Sequence, residues 1–140
     1  MQDLMNNIHP VRAISPVSVS DDTAQVSEII DLQGYDSLTF VILTGALGDA
    51  DATFAVLVEE GDDPALSDAA AVADVDLIGT EALAGFQFDD DDETRKIGYS
   101  GGKRYVRLTV TPAANASAAL LAAVALLGHP SSAPTANPPV

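Results

Sequence analysis

The stretch Arg95-Lys96-Ile97-Gly98-Tyr99-Ser100-Gly101-Gly102-Lys103-Arg104-Tyr105-Val106-Arg107-Leu108-Thr109-Val110-Thr111 decides the fold class. It reads as two β-strands joined by a tight turn, because Ser-Gly-Gly supplies the positive φ that hairpin turns need. It also holds every Lys and Arg of the chain except Arg12, in a protein of 6 basic and 21 acidic residues with net charge -15. On a strand, alternate residues face opposite ways. Lys103, Tyr105 and Arg107 therefore share one face, and Arg104, Val106 and Leu108 the other. Arg and Tyr are enriched at interface hot spots. The candidate docking residues are accordingly Arg95, Lys96, Tyr99, Lys103, Arg104, Tyr105 and Arg107. The competing reading is internal: these cations pair with the nearby acidic loop, as exposed ion pairs worth little.

Outward from this hairpin the chain is rich in strand patterns. Ser37 to Gly45 alternates Leu38, Phe40 and Ile42 against Thr39, Val41 and Leu43, a strong strand signal. Thr53 to Glu60 places Phe54, Val56 and Val58 on one face. Gln25 to Leu32, with Val26, Ile29 and Ile30, is a further strand, and Gly34 to Asp36 a turn. Residues 65–84 suit helix by their alanine content and a strand or irregular edge by Val72, Val75, Leu77 and Gly79. Ala118 to Leu127 is a continuous apolar run. It suits a helix by composition, and its length and full apolarity also suit a buried central strand; strand is the reading preferred here. Short strands with turn signals about every 8–12 residues point to an all-β fold, an antiparallel β-sandwich or jelly roll. Pro10 and Pro16 make residues 1–20 an extended N-terminal arm. The domain spans 21–128. Residues 129–140 are a Pro-rich tail with no capacity to form a core.

Composition bounds the function. A chain of 140 residues is one domain's worth and can bury roughly two-thirds of its unfolded surface. Its apolar residues are mostly Ala and Val, with 5% aromatics and no Trp, so the core is thin. Without Cys, disulfides and thiolate metal sites are excluded. The acidic balance argues against nucleic acid, which needs clustered cations. Met1 to Pro10 lacks the basic-then-apolar pattern of a secretory leader. The longest apolar run is about half of what a membrane span needs, so no membrane partner is expected.

The motifs that could carry chemistry are weak. Gly98-Tyr99-Ser100-Gly101-Gly102 matches the G-x-S-x-G nucleophile elbow, which requires a helix next and then an acid and a His. Here a strand follows, and no Asp or Glu occurs after Glu93. Asp89 to Glu93 could attract a hard cation, yet lacks the spacing of a calcium loop; a solvated acidic loop is the preferred reading. The Asp49–Asp51 and Asp62–Asp63 pairs are judged alike. His9 and His129 lack a second ligand type at metal spacing. No catalytic residue, metal or cofactor is expected.

At Lys96-Ile97-Gly98-Tyr99 and Lys103-Arg104-Tyr105-Val106-Arg107-Leu108-Thr109-Val110-Thr111-Pro112 the chain resembles small structural proteins of tailed bacteriophages. Asp31-Leu32-Gln33-Gly34-Tyr35-Asp36-Ser37-Leu38, Asp76-Leu77-Ile78-Gly79-Thr80 and Gly128-His129-Pro130 carry the same likeness, which spans residues 25–130. Length and architecture are similar to the cement (decoration) proteins of phage heads. That resemblance implies a jelly roll seated, as a dimer, on the outside of an icosahedral shell. The shell would be built of a major capsid protein with the HK97-type fold. The subunits would bridge neighbouring capsomers and stabilise the shell, with no cofactor. It transfers no functional residue. The expected partners are the major capsid protein and a second copy; the alternatives are another virion part, in the tail or head–tail joint, or a non-enzymatic β-sandwich binding module.

Overall fold

The computed structural model describes residues 1–139. The chain forms β1 (Ile8–Val19), β2 (Gln25–Val26), β3 (Ile30–Asp31), β4 (Tyr35–Leu47), β5 (Thr53–Gly61) and β6 (Ala70–Ala71). There follow β7 (Leu77–Ile78), a single helical turn α1 (Glu81–Ala84), β8 (Phe86–Gln87), β9 (Thr94–Tyr99), β10 (Tyr105–Ala113) and β11 (Ala119–Pro130). One antiparallel sheet runs β1-β11-β4-β9-β7. The other runs β2-β10-β5-β6, with β3 also on β10 and β8 also on β5. The expected all-β sandwich is the observed class.

Period-2 patterning explains the core. Leu38, Phe40 and Ile42 of β4, Ile97 of β9, and Leu121, Ala123, Ala125 and Leu127 of β11 point inward from one sheet. Phe54, Val56 and Val58 of β5, and Val106, Leu108 and Val110 of β10, meet them from the other. Each fully buried aliphatic or aromatic side chain contributes about 1.5–3 kcal/mol. Phe54 stacks on Phe86 of β8 at 4.7 Å between ring centroids, which adds bulk where small side chains dominate. The Ala118–Leu127 run is a strand, held between β1 and β4.

The largest departure from expectation is the basic hairpin. Its two strands do not pair. β9 bonds β4 and β7 in one sheet, while β10 bonds β5, β2 and β3 in the other. The link Ser100–Arg104 crosses between sheets because Tyr99 directs it. The Tyr99 hydroxyl donates to Glu60 of β5 at 2.5 Å and accepts from the Lys103 N–H at 2.9 Å. Gly101 fits beneath the ring, where a Cβ would come within 2.5 Å of the hydroxyl oxygen.

Three further differences are local. The predicted strand Gln25–Leu32 is split at Ser27. Leu108 donates its N–H to Ser27 Oγ, and the Ser27 N–H donates to the Leu108 carbonyl. The next N–H, of Glu28, turns to the Ala13 carbonyl of β1 and ties the two sheets. Most of the stretch read as an N-terminal arm is the edge strand β1, paired along β11 from Ile8 to Val19. Proline is compatible with an edge strand, and β1 carries irregular register on both sides of Ile14. The tail is tied down at Ser131, whose N–H reaches the Gly34 carbonyl, and at Thr135, whose N–H and hydroxyl reach the carbonyls of Asn6 and Ile8.

Candidate functional site

The seven sequence-selected residues divide between two sheets. Arg95 and Lys96 stand on β9; Lys103, Arg104, Tyr105 and Arg107 gather at the start of β10. As expected, Tyr105 and Arg107 share one side of β10, and Val106 and Leu108 share the other. The rings are not on offer: Tyr99 is 3% exposed and Tyr105 9%. Burial, then the bond to Glu60, pushes the Tyr99 phenol above its usual range.

Most of these cations are already engaged. Arg95 binds Asp90 at 3.2 Å, Glu93 at 2.9 Å and the Gly85 carbonyl, pinning the acidic loop Asp89–Glu93 to the sheet. Lys103 holds Asp62 at 2.8 Å. Arg104 grips both oxygens of Asp31 at 2.9 Å, reaches Gln33, and covers the Tyr105 ring at 5.1 Å. Its hydrogen bond holds the Asp31 carboxyl below the usual range. Arg107 meets Glu59 at 3.0 Å, its direct cross-strand neighbour. The competing reading placed these pairs on the acidic loop; Arg95 alone pairs there, and Lys103, Arg104 and Arg107 find carboxylates elsewhere. Among the described residues, Lys96 is the only Lys or Arg without an ion pair.

The weak motifs stay weak. Ser100 is exposed on the inter-sheet link, with its N–H on the Asp76 carbonyl. His9 stacks on Tyr35 and His129 bonds Ser37, and among the described residues neither is hydrogen-bonded to Ser100. Asp49 accepts from the N–H groups of Ala116, Ala50 and Asp51, and the first of these does most to hold its carboxyl down, to about 2. No group of three or more His, Cys, Asp or Glu side chains among the described residues is arranged to hold a metal. None of the helices among those residues is long and apolar enough to cross a membrane.

A different surface stands out once the registers are known. In the β1-β11-β4-β9 sheet, paired residues point to the same side. One outward row is Arg12, Val124, Val41 and Lys96. The row on one side is Pro10, Leu126, Thr39 and Gly98. On the other side lie Ala122, Leu43 and Thr94. Leu43 is 54% exposed and Leu120 43%. Two shallow grooves of about 650 and 610 Å³ run across this face. Pro139 of the tail borders the first; Asp3, Leu4 and Asn7 of the N-terminal segment border the second.

The opposite outer surface behaves differently. There β5 and β10 present Thr53, Ala55, Leu57, Glu59, Arg107, Thr109 and Thr111. Polar residues dominate there, as on a solvated antiparallel sheet, with exposed Leu57 and Val26 flanking Thr109. β11 instead is apolar on both faces, as strands covered on both sides are, yet only its inner face is covered by this chain. The sequence held this signal. Reading Ala118–Leu127 as a buried strand explains one face and leaves Leu120 exposed and Ala122, Val124 and Leu126 only half-buried on the other.

No protein-family model matches the chain, and no curated protein matches its sequence. Solved structures are similar to it to different degrees. The PBSX exported protein XepA superposes with a TM-score of 0.55 at 12% identity, over 85% of this chain and 36% of that one. The CBM22-1–GH10 modules of the Clostridium thermocellum xylanase 10B give 0.47 at 10% identity, over 95% of this chain and 28% of that one. The SPBc2 prophage-derived protein YomS gives 0.44 at 10% identity, over 84% and 94%. The chain thus spans little more than a third of XepA. The likeness to XepA is one of fold alone. The fold and the site together define a sandwich module with one solvated and one uncovered apolar sheet face.

Proposed function

We propose that this chain is a non-enzymatic structural subunit of a tailed-phage particle, a cement or decoration protein bound to the outside of the head. One observation carries the reading: the apolar outer face of the β1-β11-β4-β9 sheet. Contiguous exposed apolar surface marks an interaction site on a soluble protein. An acidic chain that keeps this face apolar is built to be covered by another protein. Excess negative charge keeps free copies apart and soluble until they dock. The resemblance of residues 25–130 to phage structural proteins supplies the particle, and the sandwich fold is compatible with it. On a lattice of identical shell subunits, modest contacts made by each copy sum through multivalency.

Copy number tests this. Purified virions are analysed by quantitative mass spectrometry against the major capsid protein. A simple lattice fraction, with hundreds of copies per particle, is the expected result. About a dozen copies would move the protein to the tail or portal. Absence from virions would overturn the reading in favour of a free binding module.

A further inference from the structure

We infer that the surface covering the apolar sheet face brings a carboxylate to Lys96, and that it belongs to the shell protein and not to a second copy of this chain. This deepens the reading above and rests on it.

The argument starts from charge. Acidic residues outnumber basic ones by 21 to 6, so a lysine of this chain rarely lacks a carboxylate within reach. Every other Lys and Arg among the described residues has one. Lys96 does not, because its surroundings exclude acid. Across the ladder it faces Val41, with Thr94 and Gly98 as its same-side neighbours on β9. The outward rows of β1, β11, β4 and β9 contain no Asp or Glu at all. Asp3 borders the same groove as Lys96, but its two oxygens accept from the backbone and side-chain N–H groups of Asn6.

Covering the face therefore has an electrostatic cost unless the cover supplies a counter-charge. An ammonium moved out of water without a partner is strongly penalised. Lys96 sits on β9, between the apolar rows of β4 and the exposed Ile78 of β7, a position from which a charge steers and orients a partner.

The same geometry selects the occupant. A two-fold dimer through this face would set the face against itself. It would then offer Lys96 and Arg12 to a surface that holds the same two cations, and whose bordering acids, Glu28 and Asp3, are already engaged by Arg12 and Asn6. Self-pairing leaves Lys96 unmatched, whereas a different protein can present an apolar patch with an acidic side chain at its edge.

The test compares the wild-type chain with Lys96→Arg, Lys96→Gln and Lys96→Glu for binding to shells that lack it, with self-association followed by sedimentation velocity. Lys96→Arg is expected to bind as wild type, Lys96→Gln more weakly, and Lys96→Glu at least about tenfold more weakly. Melting temperatures should stay unchanged, since Lys96 has no internal partner to lose. Equal shell binding by wild type and Lys96→Glu would overturn the inference while leaving the cement reading intact. A wild-type dimer that Lys96→Glu disrupts would overturn it in favour of a second copy. Wild type that binds no shell would overturn both.

Discussion

At the scale of single residues, Tyr99 is the clearest case of a side chain that fixes topology. Its hydroxyl serves Glu60 on one sheet and the Lys103 N–H on the link to that sheet. Tyr99→Phe keeps the ring over Gly101 and removes both bonds. It should cost about 1–3 kcal/mol in urea unfolding. The pH dependence follows from the raised phenol. In the unfolded chain Tyr99 ionises near pH 10; in the folded protein it holds its proton to higher pH. This stabilisation is full below about pH 10 and is lost as pH rises toward the folded-state value. An alkaline titration of stability should show a steeper fall for wild type than for Tyr99→Phe; identical slopes would mean that Tyr99 is not the source. Arg107 shows the other residue-scale effect. It lies opposite Glu59, with both side chains largely covered. Arg107→Glu sets two carboxylates face to face across the ladder and should destabilise the fold by about 2 kcal/mol. A melt unchanged from wild type would contradict that pairing.

At the scale of elements, individual strands were legible and their partners were not. The alternation in Ser37–Gly45 and Thr53–Glu60 fixes which side chains face inward, because a pleated strand has a strict period of two. Ser100-Gly101-Gly102 likewise announces a turn. What it cannot announce is whether the strands on either side join one sheet or two. That choice depends on Tyr99 reaching Glu60, a contact 39 residues apart in sequence. The docking residues scattered for the same reason, since grouping them assumed a hairpin. Residues 1–20 misled in the opposite sense: Pro10 and Pro16 discouraged a strand reading, although an edge position tolerates both. The tail presents the reverse relation, a segment with no core of its own held by hydrogen bonds at Ser131 and Thr135. Truncation after Pro130 removes those bonds and no core residue. Far-UV circular dichroism should stay that of the intact sandwich, with stability lowered by about 1–3 kcal/mol. Loss of the β spectrum would show that the tail is needed for folding.

At the scale of the whole molecule, the two outer surfaces of the sandwich make opposite demands on solvent, and that asymmetry separates stability from function. Inward residues such as Phe40 and Leu108 hold the sheets together, so truncating them costs stability, about 2–5 kcal/mol for a large-to-small change. Leu43 is apolar too, but more than half exposed, so the monomer gains little from it. Leu43→Glu is therefore expected to fold with a stability within about 0.5 kcal/mol of wild type, the usual range for surface substitutions. A partner that covers the face must then desolvate a carboxylate, since Arg12, which borders the same groove, is already paired with Glu28. Shell binding should fall by more than tenfold, more than for Lys96→Gln, which only removes a charge. Thr109→Glu on the solvated outer surface is the matching control. It adds the same charge to the other sheet, between Leu57 and Val26 and two positions from Arg107. If Leu43→Glu and Thr109→Glu bind shells equally well, the apolar face is not the docking surface; if only Leu43→Glu fails while both melt like wild type, the uncovered sheet face is what joins this subunit to its particle.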